Sequence, residues 1–341
     1  MKILQSSNFA DFRAFFRAKL EKIFLVPADT FDNVNGAFPI GFKVWNTMVQ
    51  CPFKTINADV YNENKDAIGQ KRIDISHGQK YVISWLQEYY DKRSSPIGYL
   101  RMIGTDMQHN NGVYITNNLS PNDLRKHLFT LTTHNNLIHC CIYVTIRHCI
   151  THTWLNNQDQ FFYPNDGWQT DTEFQTNCLA FTLFHGKNNI QSQYGTNHWI
   201  PFTEAEVDAK DRFESHFMTD FIAGSSRRTG GDLEYNHDSG VLFQAQSFVP
   251  TAPLIFSPEA TAVFDAGREL WRYYHAQPDA NPNASYYDIR AYFQGRNDKG
   301  KMNAQSDDAE YMRLLGNLKE AMEALRQRIV PKVHEYGFLI E

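Results

Sequence analysis

The hydrophobic positions of the first fifty residues change period twice. Phe9, Phe12, Phe16, Leu20 and Ile23 recur at three- and four-residue steps, the spacing of one helix face. Asn8 stands where an N-cap is needed and Asp11 falls in the first turn, so the spacing predicts an amphipathic helix over 8–22. The apolar run Ile23-Phe24-Leu25-Val26 then predicts a buried strand. Beyond the turn signal Asn35-Gly36, the residues Phe38, Ile40, Phe42 and Val44 alternate onto one face of a second strand. One hairpin with one helix cannot bury its own faces, so this opening is an incomplete unit by itself.

From 51 to 250 the pattern is irregular. Strands are predicted at 55–61 and 112–116, and helices at 81–90, 136–154 and 204–223. The helix at 136–154 is apolar on most sides and is predicted to be buried. Glu204, Glu206 and Asp208 suit the N-terminal turns of the helix at 204–223. Arg227-Arg228-Thr229-Gly230-Gly231 reads as a loop. After 251 the chain turns helical. Ser257-Pro258-Glu259 opens a helix whose stripe is Val263, Phe264, Gly267, Leu270, Trp271 and Tyr274. A break at 279–283 and a polar loop at 295–306 precede a long helix carrying Tyr311, Leu314, Leu315, Leu318, Met322, Leu325 and Ile329, with Pro331 expected to end it. The fold class predicted is mixed α+β, in three segments, 1–50, 51–250 and 251–341.

Composition adds a limit. With 25 Phe, 17 Tyr and 6 Trp in 341 residues the chain can build a core. The net charge of −5 excludes a protein that coats nucleic acid by charge alone, so any DNA contact must come from a local patch. Splitting the charge keeps this picture: 6 basic against 4 acidic residues in 1–50, 16 against 21 in 51–250, and 11 against 13 in 251–341. The five cysteines, Cys51, Cys140, Cys141, Cys149 and Cys178, are odd in number and contain no C-x-x-C, which fits a reducing, cytoplasmic setting. No apolar run reaches the length of a membrane span.

Motifs that would carry chemistry are sparse. Neither the phosphate-binding G-x-x-x-x-G-K-[ST] nor a G-x-G-x-x-G after a strand occurs, and there is no G-x-S-x-G. His139, Cys140, Cys141, His148, Cys149 and His152 have metal-ligand chemistry, and His148 and His152 stand one helical turn apart. No Glu accompanies them as a base, and buried thiols with satisfied histidines are the plainer reading. Glu63-Asn64-Lys65, with Asp29 and Asp32, offers carboxylates for a Mg²⁺-dependent nuclease. The aromatic stretches 161–168 and 194–202 mix rings with Asn, Gln and His, a composition able to stack bases or to pack as loops.

A set of longer strings is more distinctive. Ser6-Ser7-Asn8-Phe9-Ala10-Asp11-Phe12-Arg13, Val26-Pro27-Ala28-Asp29-Thr30-Phe31-Asp32-Asn33-Val34, Phe38-Pro39-Ile40-Gly41-Phe42, Asn197-His198-Trp199-Ile200-Pro201-Phe202 and Ala266-Gly267-Arg268-Glu269-Leu270-Trp271 are among those running nearly end to end. Together they resemble the C-terminal portion of large N6-adenine-specific DNA methyltransferases of bacterial type II restriction–modification systems, either modification subunits or fused modification/restriction enzymes. The resemblance implies that residues 1–50 are the terminal helix and β-hairpin of a doubly wound methyltransferase sheet. It further implies that 51–250 form an irregular α+β target-recognition region and 251–341 a helical C-terminal part. It implies S-adenosylmethionine as cofactor of the complete enzyme. The family's glycine-rich motif and its Asn/Asp-Pro-Pro-Tyr/Phe motif are both absent here, so no cofactor and no catalytic residue is assigned to this chain.

The expected partners are double-stranded DNA and an N-terminal methyltransferase fragment or subunit, with no membrane. In that family an aromatic residue before the last hairpin strand stacks on the extruded base. Phe31 matches it in position and Phe38 is second, the alternative being that Phe31 is a loop anchor packed on Phe24. The DNA-binding candidates, each in a predicted loop, are Lys71, Arg72, Lys187, Asn188, Asn189, Arg227, Arg228, Lys299 and Lys301. Two other classes remain open: the nuclease using Asp29, Asp32 or Glu63, and a structural module whose hairpin docks onto another subunit.

Overall fold

The computed structural model describes residues 9–32, 34, 39–51, 55–74, 81–102, 112–151, 155, 161–225 and 252–339. Phe38, His152, Arg227, Arg228 and the Gly230-Gly231 pair lie outside them.

The opening helix is shorter than its periodicity predicts. Helix α1 (Ala10–Phe15) stops after six residues, and the rest of the expected helix is the start of strand β1 (Lys19–Pro27). Its pairing with β2 (Pro39–Asn46) contains an irregularity between Leu20 and Lys22. A bulge adds one residue to the two-residue repeat. Leu20 and Ile23, three positions apart, therefore both turn inward, imitating the helical step in the sequence.

Strands β3 (Thr55–Tyr61) and β4 (Ala67–Asp74) complete a four-stranded sheet of order β2-β1-β3-β4, with β1 parallel to β3 and the other pairs antiparallel. The sheet therefore crosses the segment boundary expected at residue 50. Leu20, Ile23, Leu25, Ala58, Val60 and Ile73 form its buried face. On the opposite face the ladder sets Phe24 against Phe42 and Val26 against Ile40. There Phe42 and Val44 are each 47% exposed. The apolar alternation predicted for the second strand thus points away from the sheet's own core, and β2 is an edge strand.

A second, three-stranded antiparallel sheet has the order β6-β5-β7, from β5 (Gly98–Arg101), β6 (Tyr114–Thr116) and β7 (Phe129–Thr132). The helices around it are α2 (Val82–Glu88), α3 (Pro121–Lys126), α4 (Leu137–Cys149), α5 (Thr172–Leu183), α6 (Phe217–Ile222), α7 (Pro258–His275), α8 (Tyr286–Gln294) and α9 (Ala309–Glu335). As its composition predicts, α4 is buried along nearly its whole length. It is bound to α5 through Thr145 Oγ1, which donates to the Cys178 carbonyl at 3.1 Å, and Thr182 Oγ1, which donates to the Cys141 carbonyl at 3.1 Å. One apolar cluster runs from Val82 to Leu339, so residues beyond 251 share their core with those before it.

Two helix predictions are corrected. Only Phe217–Ile222 of the region 204–223 is α-helical. The acidic groups there hold turns instead: Glu204 Oε1 accepts from the Phe213 amide at 2.8 Å and Glu206 Oε2 from the Thr203 amide at 2.8 Å. Pro331 does not end α9 but lies inside it. Past the proline, Lys332 pairs with Asp171 at 3.2 Å and Val333 is fully buried, which holds the last turn helical. The Ser257 cap is as predicted, its hydroxyl accepting from the Ala260 amide at 3.1 Å.

Candidate nucleic-acid interface

Helix α8 organises the basic loops. Ser285 caps it in a reciprocal box with Asp288, and the buried Ser285 hydroxyl also donates to the Ile190 carbonyl at 2.5 Å. Asp288 Oδ2 accepts from the backbone of Ser192 at 3.0 Å, which seats the turn at 192–194 on the first turn of the helix. In mid-helix, Arg290 donates to the Gly186 carbonyl at 2.5 Å and lies over the Tyr286 ring at 5.6 Å. Lys187 follows directly. Just past the C-terminus, Arg296 donates to the Tyr287 hydroxyl at 2.6 Å and to the Gly300 carbonyl at 2.8 Å. Asn297 Oδ1 accepts from the amides of Lys299 at 3.1 Å and Lys301 at 3.0 Å, shaping the turn that Gly300 closes at φ +70°.

The ion pairing of these cations differs from that of the neighbouring helices. On α7 and α9, Arg268 pairs with Asp265 at 2.6 Å, Arg272 with Glu269 at 2.8 Å, Arg313 with Glu310 at 2.6 Å, Arg326 with Glu323 at 2.7 Å and Arg328 with Glu173 at 2.7 Å. Among the described residues, Lys187, Arg290, Arg296, Lys299 and Lys301 make no such pair. Asp298 lies within the same turn and Asp288 is engaged in capping. Two of the four basic candidates from the sequence, Lys187 and the Lys299/Lys301 loop, are therefore joined by α8. Arg290 and Arg296 had no signal of their own in the sequence: one sits mid-helix and the other needs the fold to reach Tyr287.

The remaining candidates are placed differently. Lys71 and Arg72 are not in a loop but on β4, where consecutive residues face opposite sides of the sheet. Lys71 is half-buried and Arg72 exposed, so they do not form one patch. Asn188 is structural: its Oδ1 accepts from the Ile115 amide at 2.8 Å and its Nδ2 donates to the Thr182 carbonyl at 2.5 Å. Asn189 bonds the Ile115 carbonyl through its backbone at 2.8 Å. Phe31 follows a short 3₁₀ turn and is 38% exposed. Its ring stands 5.9 Å from Phe42, while Phe24 is 6.4 Å from Tyr61, so the ring contact of Phe31 is across the hairpin and not with Phe24, the alternative anchor.

The metal candidates separate. Cys140, Cys141, Cys149 and Cys178 are buried free thiols, and burial pushes Cys140 and Cys149 up to about 12. His148 lies against His185, ring centroids 4.2 Å apart, and its Nε2 is 2.6 Å from the Val113 carbonyl. Asp29, Asp32 and Glu63 are exposed. Among the described residues no group of three His, Cys, Asp or Glu is arranged to hold a metal ion. In the aromatic stretches, Phe161, Phe162, Trp168, Trp199, Ile200 and Phe202 are core, while Tyr194 is 50% exposed.

Neither the family models, nor the curated proteins, nor the solved structures contain a match to this chain. Among the described residues no helix is long and apolar enough to cross a membrane.

Proposed function

We propose that this chain is the DNA-recognition portion of an S-adenosylmethionine-dependent, adenine-specific DNA methyltransferase of a restriction–modification system. It binds duplex DNA through α8 and its flanking loops and transfers no methyl group alone. The observation that carries this reading is the placement of Arg290 on α8 and of Lys187, Arg296, Lys299 and Lys301 in the loops that bond to it or follow it, none paired with a carboxylate among the described residues, in a chain of net charge −5. Cations left unpaired beside paired neighbours suit phosphates, whose capture releases counterions. From Tyr286 to Gln294 the helix rises about 12 Å, comparable to three or four nucleotides of one strand. The similarity of its sequence strings to the methyltransferase family supplies the enzyme class.

The exposed apolar face of β1 and β2 supports the second half of the reading. Phe42, Val44 and Phe31 stand on an edge hairpin that a cofactor-binding sheet would extend and cover. In this account the adenine-binding and cofactor groups come from that sheet, and this chain chooses the DNA. The test is titration of fluorescent duplex DNA with the wild type and with a variant carrying Arg296→Gln, Lys299→Gln and Lys301→Gln. The wild type binds and the variant binds more weakly on every sequence. Equal binding by both, or none by the wild type, contradicts the proposal.

A further inference from the structure

A chain of amides begins two residues beyond Lys187 and runs to the turn seated on the first turn of α8. Gln193 Nε2 donates to Gln191 Oε1 at 2.6 Å, and Gln191 Nε2 donates to Asn189 Oδ1 at 2.7 Å. Asn189 is two residues from Lys187. Gln191 is itself fixed: its backbone amide donates to Asn117 Oδ1 at 3.0 Å and its carbonyl accepts from Asn117 Nδ2 at 2.8 Å. The turn that carries Gln193 is tied down twice, by Ser192 to Asp288 of α8 and by Asn281 Nδ2 to the Ser192 hydroxyl at 3.1 Å.

Gln191 is buried, whereas Gln193 and Tyr194 are exposed. The relay therefore ends at the surface in an amide held by its hydrogen bond to Gln191. Among the described residues Gln193 keeps one N–H donor and its Oε1 acceptor without a partner. An amide that offers one donor and one acceptor side by side matches one base edge in the major groove: adenine, with its N6 amino donor and N7 acceptor. Guanine presents two acceptors there and cytosine a single donor, so neither satisfies both groups. Holding the amide in advance removes rotamer entropy that a free surface glutamine would lose on binding.

We infer that Gln193 is a specificity-determining residue that reads an adenine in the duplex, with Tyr194 beside it as the apolar contact. The inference rests on the proposed DNA-recognition role and adds to it a named base and a named reader.

The experiment is selection of bound duplexes from a pool with a randomised core, using the wild-type chain, Gln193→Met and Gln193→Glu. The methionine keeps the length of the side chain and loses both hydrogen bonds; the glutamate keeps only acceptors. The wild-type pool contains a position fixed as adenine. Gln193→Met loses that preference by on the order of ten- to a hundredfold, the worth of one bidentate contact. Gln193→Glu moves it toward cytosine, whose N4 amino group is a donor alone. Binding to an unrelated duplex stays within about twofold, since the phosphate contacts are untouched. Identical pools from all three proteins, or a wild-type pool without sequence preference, overturn the inference while duplex binding stands. Failure of the wild type to bind any duplex overturns the proposed function and the inference together.

Discussion

Gly267 shows how one residue's role depends on packing that periodicity does not record. It lies in the interior of α7, where replacing glycine by alanine ordinarily stabilises a helix by about 1 kcal/mol. A Cβ there would stand 2.3 Å from Cε1 of Phe184, a buried ring. Phe184 is hemmed in by Phe264 at 5.5 Å and Trp271 at 5.9 Å, so it has little room to yield. Gly267→Ala is expected to destabilise the protein by about 1–3 kcal/mol, the usual cost of overpacking, against its helix propensity. Urea unfolding checks the sign; a raised midpoint contradicts the packing. The sequence places Gly267 on the apolar stripe of its helix, and the stripe is as observed. That the position needs a missing side chain depends on a ring more than eighty residues away.

At the scale of elements, legibility follows how local the causes are. Strand β3 and helices α2 and α4 lie where the hydrophobic pattern places them, because each buries apolar residues that its own segment supplies. The first helix and the helix in the region 204–223 are shorter than the hydrophobic pattern predicts. In one case a bulge copied the helical step, and in the other acidic side chains bonded backbone amides of turns rather than starting a helix. Pro331 is the third case. It lies inside α9 because contacts on its far side hold the helix, at the expense of the amide that a proline lacks. Pro331→Ala is expected to stabilise the protein by about 1–3 kcal/mol, since the tertiary contacts stay and the backbone bond is restored. Thermal melting reads this; a lowered Tm means that the proline's ring, not the helix, is what the site requires. Of the candidate interface, the lysine loops were visible as polar, glycine-bearing stretches. Arg290, Arg296 and Gln193 were not, because each is held by a contact that no residue pattern records: Arg290 by the Gly186 carbonyl, Arg296 by the Tyr287 hydroxyl and Gln193 by Gln191.

For the whole molecule, buried histidines set the acid limit. Burial lowers His139 to about 3, and lowers His198 and His275 as well. His185 is lowered first by burial and then by the positive charges of His148, Lys187 and Arg290. In an unfolded chain these rings titrate near pH 6.5. Above that pH both states are neutral and their contribution is complete; as pH falls below it, the unfolded chain gains protons that the folded chain resists, and stability is lost. For His139, 2% exposed, the loss is about 2 kcal/mol at pH 5. Asp91 acts in a lower window. Burial alone would raise its pKa, but hydrogen bonds from Ser94, the Arg93 amide, Asn135 and Thr133 hold it at about 2, so its contribution is lost only below the ordinary carboxylate range. The Tm is therefore expected to fall between pH 7 and pH 5, before any carboxylate is involved; an unchanged Tm over that range contradicts the assignment of these rings as neutral core groups.

On the proposed function, a chain of net negative charge binds duplex DNA through five cations on α8 and its flanking loops. The most direct measurement is the salt dependence of duplex binding, between about 50 and about 200 mM, for the wild type and for the Arg296→Gln, Lys299→Gln, Lys301→Gln variant. Five phosphate contacts give log K a slope of about −4 to −5 against log salt, and removing three of the cations makes it shallower by about 3. A wild-type slope near zero, or one that the three substitutions leave unchanged, contradicts the account.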